Sequence, residues 1–211
     1  QILRYREHTL TDKEEKLLAA SGEMSRAARD GFDMLDNADL QLGEIEDESG
    51  EPLTLTHGNF QSLMQNYDRR MRKDAFHTYY KAYESHRFTY STLLSSSVKK
   101  DLFYSRSRNY SGYRAKALFS ENISEEVYDN LIESVHQNLK PLYKYFEIRK
   151  KLLGLDELHA YDCSVPLVKN IKWHMPYEEA VEKIKIALQP LGAEYNELVG
   201  KGLLQDRWTD R

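Results

Sequence analysis

A chain of 211 residues is long enough to bury a core, as one domain or two small ones, and its 34 carboxylates against 30 Lys and Arg leave a formal charge of −4 that argues against nucleic acid as the main partner. Hydrophobic content of 40% beside 30% charged residues, with only ten Gly and five Pro, favours a mainly helical protein. No apolar stretch approaches the roughly 20 residues of a membrane span, and the single cysteine, Cys163, has no partner for an internal disulfide, which fits a cytoplasmic setting.

In chain order, Gln1 to His8 reads as the end of a helix. Thr11 and Glu14 then have the spacing of a capping box, in which side chain and backbone amide satisfy one another at a helix start. The helix this predicts carries Leu17, Leu18, Ala20, Met24, Ala27, Ala28, Phe32 and Leu35 on its apolar face, with a break near Ser21-Gly22. From Asp30 to Asp68 there are ten carboxylates and no Lys or Arg. Asp47 to Glu51 lacks the alternating oxygen ligands of a calcium loop, so the run reads as a solvated acidic surface. Within it, LQLGEIED and EPLTLTH flank Ser49-Gly50, with Leu53, Leu55 and His57 alternating against Thr54 and Thr56, the pattern of a small hairpin.

Asp68 to Arg108 is the longest periodic segment. Met71, Ala75, Tyr79 and Tyr83 form one row and Tyr90, Leu94, Val98 and Leu102 the next, joined by a step of seven that one continuous helix keeps on one face. At 1.5 Å per residue such a helix reaches roughly 60 Å. Ser95 to Ser97 inside it are read as permitting close helix contact. Lys99 to Lys116 interleaves six basic residues with Tyr104, Tyr110 and Tyr113. Pairing with the acidic run ranks first for these cations, a peptide carboxylate second and single-stranded nucleic acid last.

Ser124, followed by Glu125 and Glu126, is a helix N-cap with carboxylates at the positive end of the helix dipole. Val127, Leu131, Val135, Leu139, Leu142, Tyr143 and Phe146 predict a core helix bent at Pro141 and stopped by Gly154. Leu155 to Leu167 loses helical periodicity and reads as an extended connection. Pro176 marks another helix start, with Ala180, Ile184, Ala187, Leu188 and Leu191 as its buried stripe and Gly192 as its end; Ala193 to Leu204 predicts one more. Three constellations are set aside. Glu133 and His136 make a single Glu-x-x-His step where a di-iron bundle needs two, His159 and Cys163 share no helical face if their segment is extended, and His174 falls outside the helix that begins at Pro176.

The run YSGYRAKALFSENISEEVYDNLIESV, from Tyr110 to Val135, followed by LHAYD at Leu158 to Asp162 and Val165-Pro166-Leu167, resembles the thimet-type zinc metallopeptidases, and among them oligoendopeptidase F. The likeness reaches back through Leu40 to Tyr67 and forward to Arg211. It implies an all-α fold with one small β-hairpin, part of a larger two-lobed helical peptidase. Residues 1–115 would form a helical N-terminal lobe, with the hairpin near 40–57 and the long helix at 68–108, and residues 116–211 would open the peptidase domain. It also implies zinc in the full-length protein, held by an HExxH helix and a later Glu. None of the seven histidines, at 8, 57, 77, 86, 136, 159 and 174, stands in such a motif. No catalytic or metal-binding residue is therefore expected in this chain, which reads as an inactive, excised or incomplete piece of a larger enzyme. Its expected partners are an oligopeptide substrate and the missing C-terminal catalytic part, with neither nucleic acid nor membrane. Tyr110, Tyr113, Arg114, Tyr161 and Asp162 are its candidate substrate-channel residues. The competing expectation is a non-enzymatic helical scaffold or protein-interaction module that presents the Asp68 to Arg108 helix.

Overall fold

A computed structural model describes residues 2–168 and 175–209. The chain divides into two compact units, Gln1–Leu167 and Val168–Arg211. Among the described residues there are ten α-helices and one two-stranded antiparallel hairpin, as the composition and the hairpin pattern led us to expect.

The first unit opens with a 3-10 helix over Ile2–His8 in place of the expected α-helical end. Helix α1 spans Asp12–Ala20 and α2 spans Gly22–Met34, so the break at Ser21-Gly22 is present. The Thr11 amide donates to the Glu14 carboxylate at 3.0 Å, which closes the capping box. A π-helical turn, Leu35–Asp39, follows α2.

Strands β1, Glu44–Glu46, and β2, Pro52–Thr54, pair Glu44 with Thr54, Ile45 with Leu53 and Glu46 with Pro52. Ile45 is buried, and Glu44 and Glu46 point to water. The Asp47 carboxylate builds the turn by accepting from the Ser49 hydroxyl and amide, both at 2.7 Å, and from the Glu51 amide at 3.0 Å. These bonds, the Ser49 hydroxyl first, hold its carboxyl below the usual range. His57 does not extend β2. It opens helix α3, His57–Met64, because Thr56 and Asn59 cap that helix reciprocally at 3.1 and 2.9 Å.

The single helix expected over 68–108 is two helices, α4 over Arg69–Ser85 and α5 over Arg87–Ser107. His86 separates them at φ −109° and ψ 13°, with its amide bonded to the Tyr83 carbonyl at 3.0 Å. The step of seven still brings Tyr83 and Tyr90 together, their rings stacked at 5.3 Å. Beyond the break the inward row shifts. Leu94 and Val98 are 68% and 44% exposed, while Tyr90, Leu93, Ser97 and Tyr104 are half-buried along the side of α5 that packs on α2.

Helix α6 covers Tyr113–Phe119. The predicted bent helix is likewise two, α7 over Glu125–Gln137 and α8 over Leu139–Leu152, parted at Asn138. Pro141 has no N–H to return to the Gln137 carbonyl, so the ladder stops three residues before the proline rather than bending at it. Val127, Leu131 and Val135 are exposed, which corrects the reading of α7 as a core helix. Amides of Gly154 and Leu155 bond back to the carbonyls of Lys151 and Lys150, both at 3.1 Å, and end α8 at the predicted glycine. The connection after it is not wholly extended, since Ala160–Asp162 forms a 3-10 turn.

The core of this unit gathers Leu40, Leu42, Ile45, Leu55, Leu63, Met64, Met71, Ala75 and Tyr161, with Phe60, Phe76, Tyr79 and Tyr83 at its margin. The hairpin is therefore roofed by α3 and α4, which supplies the support that an isolated two-stranded ribbon lacks. In the second unit, α9 spans Tyr177–Ala187, one residue after the expected start, and α10 spans Ala193–Leu204 as expected. Val181 is the buried residue of α9, whereas Ile184 and Leu191 of the predicted stripe are exposed. No helix among the described residues is long and apolar enough to cross a membrane.

Candidate functional site

The LHAYD segment is tied to α4 through one carboxylate and to α8 through a backbone carbonyl. Arg69 and Arg72 stand one turn apart at the start of α4, the spacing that puts both on one helical face. Asp162 is wholly buried. Its Oδ1 accepts from Arg69 Nε at 3.1 Å and Arg72 Nη2 at 2.8 Å, and its Oδ2 from Arg69 Nη2 at 2.8 Å and the His159 amide at 3.1 Å. Arg149 of α8 reaches the same turn, donating to the Asp162 carbonyl at 2.9 Å, the Tyr145 hydroxyl at 2.9 Å and the Val165 carbonyl. Burial alone would raise the Asp162 carboxyl, but the two guanidiniums and the His159 amide outweigh it and hold the group below the usual carboxylate range.

Tyr161 is buried beside Asp162. The His159 ring stacks on it at 5.0 Å, and the Arg69 guanidinium carbon lies 5.3 Å from its ring centre. The other three candidates lie around α6. Tyr110 is half-buried and stacks on His8 at 3.6 Å, and burial pushes its hydroxyl up. Tyr113 is exposed, and Arg114 pairs with Glu125 at 2.5 Å and Asp129 at 2.8 Å. No hydrogen bond, ion pair or ring contact among the described residues joins this group to Tyr161 and Asp162.

Among the described residues the basic stretch does pair internally, though not with the acidic run: Arg108 takes Glu15 at 2.6 and 2.7 Å, and Arg114 takes Glu125 and Asp129 of α7. Arg70 is the cation that reaches the acidic hairpin, through the Glu46 and Asp47 carbonyls at 3.1 and 2.7 Å. Glu133 accepts from Gln137 at 2.7 Å rather than engaging His136. Cys163 sits 3.5 Å from the His159 carbonyl oxygen, while the His159 ring is turned onto Tyr161, so no thiol–imidazole pair forms. His174 lies outside the described residues.

Sequence reasoning missed a second polar network. Asp36, on the π-helical turn, accepts from the hydroxyls of Tyr83 at 2.9 Å and Tyr90 at 3.1 Å. His57 contacts the Asp36 carbonyl at 3.1 Å and the Tyr79 hydroxyl at 2.9 Å. Burial first, then the bond to Asp36, pushes Tyr90 up to about 12, and Tyr83 is raised further. The regular spacing of Tyr79, Tyr83 and Tyr90 was a signal for this cluster; Asp36 gave none, because its side chain is aimed by an irregular turn.

The described residues assemble no metal centre. No group of three or more His, Cys, Asp or Glu side chains converges among the described residues, and the sequence has no HExxH.

The sequence model of peptidase family M3 matches residues 62–211, and that of oligopeptidase F matches residues 1–41. Oligopeptidase PepF of Bacillus subtilis (strain 168) is 42% identical over 210 residues, which make up 100% of this chain and 31% of that protein. An oligoendopeptidase F homolog of Lactococcus lactis subsp. lactis is 40% identical over 203 residues, 96% of this chain and 33% of that one. The crystal structure of oligoendopeptidase-F from Enterococcus faecium matches with a TM-score of 0.79 at 39% identity, over 96% of this chain and 38% of that one. The chain thus spans about a third of the length of the curated relatives it matches. Since the family model accounts for well over half of the residues, the chain belongs to peptidase family M3.

Proposed function

We propose that this chain is the N-terminal portion of a zinc-dependent oligoendopeptidase that hydrolyses short peptides, and that its helices form one wall of the substrate channel. The observation that carries this reading is identity of about 40% along the whole chain to proteins named oligopeptidase PepF and oligoendopeptidase F, of which it covers only a third. In this reading residues 1–115 are the N-terminal lobe and 116–211 the beginning of the peptidase domain. Zinc would supply Lewis-acid and water-activating chemistry when bound, and residues outside this chain would hold it. The chain's own part is exclusion and orientation. A wall of packed helices admits flexible peptides and turns away folded proteins. Tyr110, Tyr113, Arg114, Tyr161 and Asp162 belong to the segments that border the channel, with exposed Tyr113 the most accessible to a peptide and buried Asp162 acting from behind. A cytoplasmic setting, where an unpaired cysteine is at home, belongs to the same proposal.

The test is metal content. The 211-residue chain binds no stoichiometric zinc, and a polypeptide extended by the coding sequence that follows binds one zinc through an HExxH motif. Tight zinc binding by the short chain, or an extension without HExxH, overturns the reading and leaves the helical scaffold in its place.

A further inference from the structure

The charges around Asp162 do not balance. Arg69, Arg72 and Arg149 surround this turn, and among the described residues Asp162 is the one carboxylate bonded to them. Arg72 and Arg149 are almost wholly buried. Their remaining donors go to neutral acceptors: the carbonyls of Asn66, Tyr67 and Tyr161 for Arg72, and those of Asp162 and Val165 with the Tyr145 hydroxyl for Arg149. Carbonyls satisfy the hydrogen bonds and leave the charge. Glu157, the next carboxylate, is exposed and faces His159 at 3.7 Å. Three guanidiniums against one buried carboxylate leave an excess of positive charge, which exposed Glu157 offsets only in part at Arg69.

Arg69 is where that excess meets solvent. Its side chain is 41% exposed, yet it is fixed by two bonds to Asp162, by a third from Nη2 to the Glu157 carbonyl at 3.3 Å and by the Tyr161 ring. Nη1 makes no hydrogen bond among the described residues. A guanidinium held this way has lost its rotamer freedom before any ligand arrives, so little further ordering is needed on binding. Nη1 is left to donate to an anion from solvent, a charge-assisted contact of the kind a carboxylate oxygen makes.

We propose that Arg69 is a binding site for a peptide carboxylate, and that Asp162 and Tyr161 are positioning residues which hold its guanidinium. The choice of a peptide as the bearer rests on the peptidase reading above; the choice of a carboxylate rests on the cluster. The carboxylate comes either from the peptide's C-terminus or from an acidic side chain.

Fluorescence anisotropy on the 211-residue chain decides it, with one short labelled peptide in three versions: a free acid without Asp or Glu, its C-terminal amide, and an amide carrying an internal Glu. The proposal expects at least one carboxylate-bearing version to bind about tenfold tighter than the plain amide, the size of one charge-assisted contact, with the preference shrinking in high salt. Arg69→Gln abolishes the preference and Arg69→Lys keeps part of it; circular dichroism confirms that each variant is folded, and if Arg69→Gln is not, Arg69→Lys and the salt series decide. The free acid and the Glu-bearing amide tell the two sources apart. Equal binding of all three peptides, binding of none, or a preference that survives both substitutions overturns the proposal. Zinc content and hydrolysis by the extended polypeptide do not depend on this preference, so the site and the peptidase reading can fail separately.

Discussion

Asp162 concentrates the energetics of the first unit in one side chain. Removing the charge while keeping the shape leaves three guanidiniums around a neutral amide, and breaking a buried ion pair of this kind costs about 3–5 kcal/mol. Urea unfolding of Asp162→Asn should show a loss of that order, whereas Asp68→Asn, at an exposed pair with Arg70 of 3.7 Å, should lose much less. The pH dependence follows from the depressed carboxyl. The unfolded chain takes up a proton near the ordinary value of about 3.9, and the folded one only at lower pH. The contribution is therefore fully present above that value and is lost as pH falls through the depressed one. Acid titration of unfolding should show this limb in the wild type and its absence in Asp162→Asn. The tyrosine cluster works at the opposite end: with Tyr90 pushed up to about 12, the stability gained by keeping it neutral is present below about 10 and is lost as pH rises through 12. Ultraviolet difference titration should show tyrosines that ionise after the rest, and Tyr90→Phe should remove one of them. LHAYD was legible as a segment of interest. Its partners were not, because Arg69 lies 93 positions from Asp162 and pairing at that range leaves no local trace.

Elements were most legible where a local motif closes them. Thr11, Ser124, Pro176 and Gly154 each mark a boundary within a residue or so of the observed one, since caps depend on their own side chains and nearest amides, whereas the helix expected to run to Gly192 stops at Ala187 and a 3-10 turn, Gln189–Leu191, fills the gap. The interruptions at His86 and Asn138 escaped, because neither position carries a Gly or Pro and apolar rows with a step of seven or a bend fit one helix as well as two. The cap of α3 also went unread, hidden behind an alternation that continued past the strand. Thr56→Ala should cost about 1 kcal/mol in urea unfolding through the lost bond to the Asn59 amide. The hairpin also manages its edges. Pro52 has no amide to offer, the Thr54 carbonyl accepts from Asn59 at 2.9 Å, and Arg70 takes the Glu46 and Asp47 carbonyls on the other side. Two glycines there differ in a measurable way. Gly43 and Gly50 both have φ near +90°, but a Cβ on Gly43 would stand 2.9 Å from the Thr78 methyl while one on Gly50 meets open space. Thermal unfolding should place Gly50→Ala about 1 kcal/mol below wild type, the left-handed penalty alone, and Gly43→Ala lower still.

At the scale of the molecule, fold class and family were readable from helical periodicity and the two matched motifs, and burial was not. The stripe of Val127, Leu131 and Val135 tells which face of α7 seeks cover without telling what covers it, and among the described residues it stands in solvent beside Tyr128 and Ile132. Contiguous exposed apolar surface is of the kind that interfaces use. Hydrolysis of a short fluorogenic peptide, measured side by side for the 211-residue chain and for the polypeptide extended through the following coding sequence, tests the central claim most directly. The account predicts no turnover by the short chain and turnover by the extended one that a chelator abolishes; turnover by the short chain alone, or none by a folded, zinc-loaded extended chain, would contradict it.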